Sequence, residues 1–186
     1  MNINKMKYSF VLLLLSIVLI QCKKEDNFTM AKGQLGKIIS TTQIQEIESI
    51  FIKDSLVSHI GEGGFAYAEY DEYLLYAKNG DHLLTIIPKV QHDSTSTIES
   101  IQVFDKRYKT IKGLNISSTF KDIVENYTVN KVESTFTTAV LFVDELDVTI
   151  AINKKELGIN DFGTQKVSLA QIPDLAKIKT FTLWFD

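Results

Sequence analysis

The feature that most constrains this chain is an order of elements that occurs twice. A short helical pattern precedes a short strand, a hairpin pair and a closing strand, first over about 41–105 and again over about 117–186. In the first helix Ile44, Ile47, Ile50 and Phe51 recur at three-to-four-residue spacing, with Thr41 or Thr42 as the expected N-cap. In the second, Phe120, Ile123, Val124 and Tyr127 fall on one face, Ser118 or Thr119 caps the start, and Asp122 is placed to close a capping box. Neither helix exceeds a few turns, so each must lie on an apolar surface to persist.

The strands supply that surface. Residues 72–78 and 82–90 are apolar runs joined through Asn79-Gly80, a two-residue hairpin signal. Leu146, Val148, Ile150 and Ile152 alternate with polar or small residues, and so do Phe181, Leu183 and Phe185. Weaker strands are expected at 56–60, 98–104, 128–134 and 138–143. The helices superpose at an offset of 76 residues and the closing strands at 80, placing Ile101 on Phe181, Val103 on Leu183 and Phe104 on Trp184. Between them the offset falls to 64, where Leu84-Thr85-Ile86 meets Val148-Thr149-Ile150. The likeness has two readings: a tandem repeat of a helix-plus-four-strand unit, or two units obeying the same patterning rules. Either gives an α+β fold over 36–186. An antiparallel sheet of about seven to eight strands carries two short helices on one face and leaves the other toward solvent or a partner.

The N-terminus is of another kind. Lys5 and Lys7 precede an apolar run from Phe10 to Ile20, followed by Gln21 and the chain's single cysteine, Cys22. A run of about 11 residues is too short to span a ~30 Å hydrocarbon layer. The arrangement resembles a bacterial lipoprotein signal peptide with its lipobox. The resemblance implies removal of 1–21, a diacylglycerol thioether on Cys22, and an acyl chain such as palmitate on the new amine. Such lipids anchor a protein without a transmembrane helix. Residues 22–35, polar and containing Gly33, are expected to be a lipidated flexible tether. The charged stretch Lys23 to Asn27 resembles the export signal of surface lipoproteins of Bacteroidota, so the expected location is the outer membrane, on its surface or its periplasmic leaflet.

Without 1–21 the chain keeps 18 basic and 23 acidic side chains, a net charge of −5. That is the wrong sign for a nucleic-acid partner. With 45% hydrophobic and 23% charged residues the chain is an ordinary globular one. Tandem helix-plus-four-strand units of this length resemble the beta-lactamase-inhibitor-protein group and related envelope lipoproteins, in arrangement and over 41–186 only. The resemblance implies an inhibitor or chaperone-like role toward a secreted or periplasmic enzyme.

Catalytic chemistry finds little footing. His59, His82 and His92 lie on separate elements without metal-ligand spacing, no cysteine remains once Cys22 is acylated, and no serine sits in a nucleophile elbow. A hydrolase built on His59 or His82 with a nearby carboxylate is the remaining enzymatic alternative. Gly61-Glu62-Gly63-Gly64 lacks the lysine and helix of a phosphate loop and reads as a mobile loop. It leads to Phe65, Tyr67 and Tyr70, amphipathic rings of the kind found at recognition surfaces, or else folded over a core edge. Phe104 and Trp184 fall out of phase with the apolar alternation of their strands and should point to the open sheet face. Asp144, Glu145 and Asp147 read as a hairpin turn without Ca²⁺-loop spacing. Asp54-Ser55-Leu56 and Asp93-Ser94-Thr95 match the pattern of Bacteroidota O-glycosylation sites. The expected protein is therefore a lipid-anchored, non-catalytic binding module, without metal or cofactor, for an unknown protein or glycan partner. Phe65, Tyr67, Tyr70, Phe104 and Trp184 are its candidate contacts.

Overall fold

The computed structural model describes residues 27–61, 70–159, 163 and 165–185. In chain order the strands are β1 (Thr29–Ala31), β2 (Gln34–Leu35), β3 (Ile38–Ile39), β4 (Ser55–His59), β5 (Glu72–Tyr76) and β6 (His82–Pro88). They continue with β7 (Ile98–Val103), β8 (Lys109–Thr110), β9 (Lys131–Ser134), β10 (Thr138–Val143), β11 (Val148–Asn153) and β12 (Ile178–Trp184). Two helices, α1 (Ile47–Ile50) and α2 (Phe120–Asn126), precede the two strand groups.

Eight strands form one antiparallel sheet in the order β4-β5-β6-β7-β12-β11-β10-β9. The second half thus mirrors the first about the β7–β12 junction. The mirror is a pseudo-two-fold, because sequence-equivalent residues meet across it. Val103 pairs with Phe181, Ile101 with Leu183, and the equivalent pair Gln102 and Thr182 face each other. The offsets of 80 and 64 carry pairs onto pairs: Leu84 opposes Val103 as Val148 opposes Leu183. Even the irregularities repeat. β7 carries Glu99 as an extra residue against β6, and β12 carries Lys179 against β11, 80 positions on. The first bulge also lets Pro88, which has no N–H to donate, end β6.

One row of residues crosses the whole sheet on its packed face: Leu56, Leu75, Leu84, Val103, Phe181, Ile150, Leu141 and Val132. The six central members are fully buried. Ile44 and Ile47 from the first helical turn, and Phe120, Ile123 and Tyr127 from the second, join the same core. The capping box of α2 forms as the sequence indicates, with the Thr119 hydroxyl on the Asp122 N–H and the Asp122 carboxylate on the Thr119 N–H. The first helix differs. It opens as a 3₁₀ turn (Ile44–Glu46) capped by Gln43, because the Thr42 hydroxyl is turned back to accept from Ile39 N–H.

Two further expectations are corrected. The Asn79-Gly80 turn is a three-residue loop, Lys78 to Gly80, closed by the Ala77 N–H donating to the Asp81 carbonyl, with Gly80 at φ +87°. Part of the flexible tether expected over 22–35 is ordered structure instead, because β1 and β2 lie within it. They form a mixed four-stranded sheet, β3-β2-β1-β8, with Met30, Leu35 and Ile38 buried in the common core. Strands of two or three residues have no readable alternation; burial of those three side chains, about 1.5–3 kcal/mol apiece, holds them in place. Residues 1–26, with Cys22, lie outside the described residues.

Gly36 closes this small sheet. It sits at φ +56°, donates its N–H to the Thr29 carbonyl at 2.8 Å, and a Cβ there would meet the Asn27 carbonyl oxygen at 2.2 Å. At Gly33, φ +65°, an added Cβ would meet nothing within 4 Å beyond its chain neighbours. Gly36→Ala should therefore cost about 3 kcal/mol or more through clash plus strain. Gly33→Ala should cost only about 1–2 kcal/mol from conformation. Urea unfolding midpoints of the two variants compare them directly.

Candidate functional site

The face of the sheet opposite the core is where the sequence places Phe104 and Trp184. Its central row is Val57, Leu74, Thr85, Gln102, Thr182, Thr149, Phe142 and Lys131. This row is polar in the middle and apolar toward either side. Phe104 and Trp184 stand on it 38% and 40% exposed, at pseudo-symmetric positions. They lie on neighbouring central strands, displaced by four residues, about 14 Å along the strand direction.

Each aromatic position is organised by the equivalent threonine. The Trp184 indole Nε1–H donates to Thr149 Oγ1 at 3.0 Å, and Phe142 and Val140 line the same depression as the ring. A shallow depression of about 390 Å³ runs between these side chains. On the other half, His82 Nε2 lies 3.0 Å from Thr85 Oγ1 and 3.0 Å from the Leu84 carbonyl oxygen. A carbonyl only accepts, so the proton is on Nε2. His82 is stacked between Tyr76, with ring centroids 4.9 Å apart, and Phe104, 4.1 Å apart. A groove of about 910 Å³ lies alongside, rimmed by Lys53, Lys78, Asp81 and Lys106.

Alternation places His82 with Leu84 and Ile86 toward the core. The β5–β6 register shifts between Leu75 and Tyr76, so that Leu83 is an extra residue and His82 turns to the open face. Its hydrogen-bond partners are a carbonyl and a hydroxyl rather than the carboxylate that a hydrolytic role would need.

Among the described residues, the histidine that meets a carboxylate is His92. Its Nδ1 is 3.3 Å from Asp71 Oδ1, and Asp71 has no exposed side-chain surface. The same carboxylate accepts the backbone N–H groups of Gly61 and His92, while Gln91 Oε1 accepts the Asp71 N–H. These contacts pin the two ends of the β4–β5 connection to the β6–β7 connection. His92 itself is held at φ +60°. Of the aromatics expected on that connection, Tyr70 is exposed, and Phe65 and Tyr67 lie outside the described residues. A second anchor is Lys154, 2% exposed, whose Nζ donates to the carbonyls of Gly163 (2.6 Å) and Gln165 (3.3 Å). Neither Asp71 nor Lys154 stands out in the sequence, because their partners are backbone groups of distant loops.

The acidic turn is partly neutralised. Lys32 Nζ bridges Asp147 at 2.8 Å and Lys112 approaches Glu145 at 3.8 Å. In Asp93-Ser94-Thr95 the Asp93 carboxylate is occupied by the Thr95 N–H and hydroxyl.

No family model and no curated protein matches the chain. Among solved structures, the crystal structure of the uncharacterized protein yfeY from Escherichia coli is similar in fold. The TM-score is 0.52 at 14% sequence identity, covering 85% of this chain and 99% of that chain. The chain therefore shares its fold with an uncharacterised bacterial protein, and a likeness at this identity concerns fold alone.

The loop anchors make a pH prediction. The hydrogen bond from the His92 N–H, assisted by that of Gly61 and the imidazole, holds the Asp71 carboxyl below its ordinary range of 3.8 against the opposing effect of burial. A depressed folded-state pKa contributes stability that is fully present above the unfolded value and is lost as pH falls through the folded one. Asp71→Asn should lower stability at neutral pH and flatten the fall in unfolding midpoint below about pH 4. Lys154→Ala should cost about 1–3 kcal/mol by leaving two carbonyls unpaired. Chemical denaturation at neutral pH and in steps down to about pH 3 reads both.

Proposed function

We propose that the protein is a lipid-anchored, non-catalytic binding module of the cell envelope, held to the outer membrane through Cys22. On this reading it engages a protein or glycan partner on the open sheet face. The observation that carries the reading is the contrast between the two faces of one sheet. The packed face is saturated with fully buried aliphatics, whereas the other presents two half-exposed aromatics, Trp184 fixed by its hydrogen bond to Thr149 and Phe104 stacked on a hydrogen-bonded His82. Rings held in place before a partner arrives lose little entropy on binding, which suits them as anchors. The polar threonine and glutamine row between them supplies directional contacts.

The anchor rests on the sequence: a short apolar core, a basic start and a single cysteine. Surface display and the periplasmic leaflet are the two locations it allows, and the kinship with Bacteroidota lipoproteins belongs to the same proposal. A second reading is favoured by the arrangement of the sheet. An uncovered eight-stranded face built from tandem units suits capture of a whole protein, as an inhibitor or chaperone-like protein of a secreted enzyme would need.

The test has two arms. Cells fed an alkyne fatty acid should label the wild type and leave Cys22→Ala unlabelled and unprocessed; membrane association of the wild type without label would contradict the anchor. Protease treatment of intact cells then distinguishes the outer surface from the inner leaflet. For the face, Phe104→Ala with Trp184→Ala should weaken partner binding by tenfold or more, the scale expected of central aromatic anchors, without shifting the unfolding midpoint by more than about 1 kcal/mol. Unchanged binding by the double variant would sink the assignment of that face.

A further inference from the structure

The described residues begin at Asn27, and the surface around that point is unlike the rest. A cavity of about 330 Å³ opens beside Asn27 and Phe28, walled by Phe51 and Tyr108. At its rim Ile52 is 83% exposed, next to Lys53 in sequence. Lys37 and Arg107 stand on the same rim. Lys106 precedes Arg107 in sequence, and the Lys109 N–H is bonded to the Phe28 carbonyl at 2.9 Å. Three cations therefore line this cavity, and Lys106 and Lys109 lie one and two residues from Arg107 in sequence. The neighbouring carboxylates are Asp54 and Asp105, and Asp105 is already engaged by Arg107 at 2.5 Å. The whole chain carries a formal charge of −3, so this excess of positive charge is local.

Distance gives the patch its meaning. From Cys22 to Asn27 is five residues, which span at most ~18 Å when fully extended. A lipid on Cys22 thus keeps this end of the fold next to the headgroups. The Asp71–His92 end lies at the opposite end of β6, about 20 Å away at strand rise. Lysines flanking one exposed aliphatic side chain suit a bilayer surface: the ammonium groups meet phosphates while the aliphatic group enters the headgroup boundary.

We infer that the surface formed by Lys37, Ile52, Lys53, Lys106, Arg107 and Lys109 docks on the anionic phospholipid headgroups of the bilayer that carries the anchor. It stands the sheet with its His82–Phe104 end toward the membrane and its Asp71–His92 end away. The inference rests on lipidation of Cys22. Its consequence is orientation: the open face stands beside the bilayer rather than being free to tumble at the end of a tether.

The test uses the full lipidated protein in vesicles with a quencher on the lipid chains. An environment-sensitive fluorophore is placed at Ile52→Cys or, as the distal control, at Ser94→Cys. Because the sulfur of Cys22 is taken up by the lipid, the introduced thiol is labelled alone. With phosphatidylglycerol present, the label at 52 should be quenched several-fold more than the label at 94. The difference should shrink in high salt and in vesicles of phosphatidylcholine alone. Lys37→Glu with Lys53→Glu should abolish it while flotation with the vesicles persists. Equal quenching at the two sites in protein that floats, or quenching at 52 indifferent to salt, lipid charge and the two substitutions, would overturn the docking surface. Protein that fails to float and carries no lipid by mass spectrometry would refute the anchor itself, and the docking surface with it.

Discussion

Everything in this structure hangs on the antiparallel pairing of β7 with β12. Each half of the chain contributes four strands and one short helix, and neither set is a domain. A helix of one or two turns has no stability of its own, and a four-stranded sheet covered by so little would leave its central strand as a bare edge. Joining the halves through Val103–Phe181 and Leu183–Ile101 makes one apolar row eight strands wide and leaves the side chains at the seam fully buried. The small N-terminal sheet then closes the part of the core that two short helices cannot reach, through Met30, Leu35 and Ile38.

The same junction determines what the other face can present. The pseudo-two-fold sets equivalent aromatic positions, Phe104 and Trp184, on neighbouring strands and displaces them along the sheet. In both halves a threonine hydroxyl lies 3.0 Å from a ring nitrogen, Thr85 from His82 Nε2 and Thr149 from Trp184 Nε1. The scaffolding is shared, yet the surfaces differ: one is a histidine-centred stack beside a charged groove, the other an indole over an apolar depression. A face of this kind suits a partner with distinct chemistry at its two ends better than a symmetric one.

Much of the fold was legible because the alternation is strict and the repeat offsets are constant within elements. The phase of Phe104 and Trp184 could be read for the same reason: each stands one residue beyond a core position at the end of a regular strand. What escaped reading has physical causes. His82 was hidden because one bulged residue inverts its side. β1 to β3 were hidden because strands of two or three residues carry no period, and the polar residues and glycines between them resemble a tether. Gln43 displaced Thr42 as the first cap because the threonine hydroxyl found a backbone partner upstream. Asp71 and Lys154 act on backbone groups brought near only by the finished fold, and nothing in their immediate sequence marks them.

The claim on which the functional account turns is that the open sheet face is occupied in the cell. The most direct measurement is site-specific photo-crosslinking in living cells, with a photoreactive phenylalanine at Thr182, in the middle of that face, and at Glu48, an exposed position on α1. The account predicts a discrete adduct from position 182 that disappears on adding Trp184→Ala, and none from position 48. Adducts identical at the two positions, or an adduct at 182 indifferent to Trp184, would contradict it.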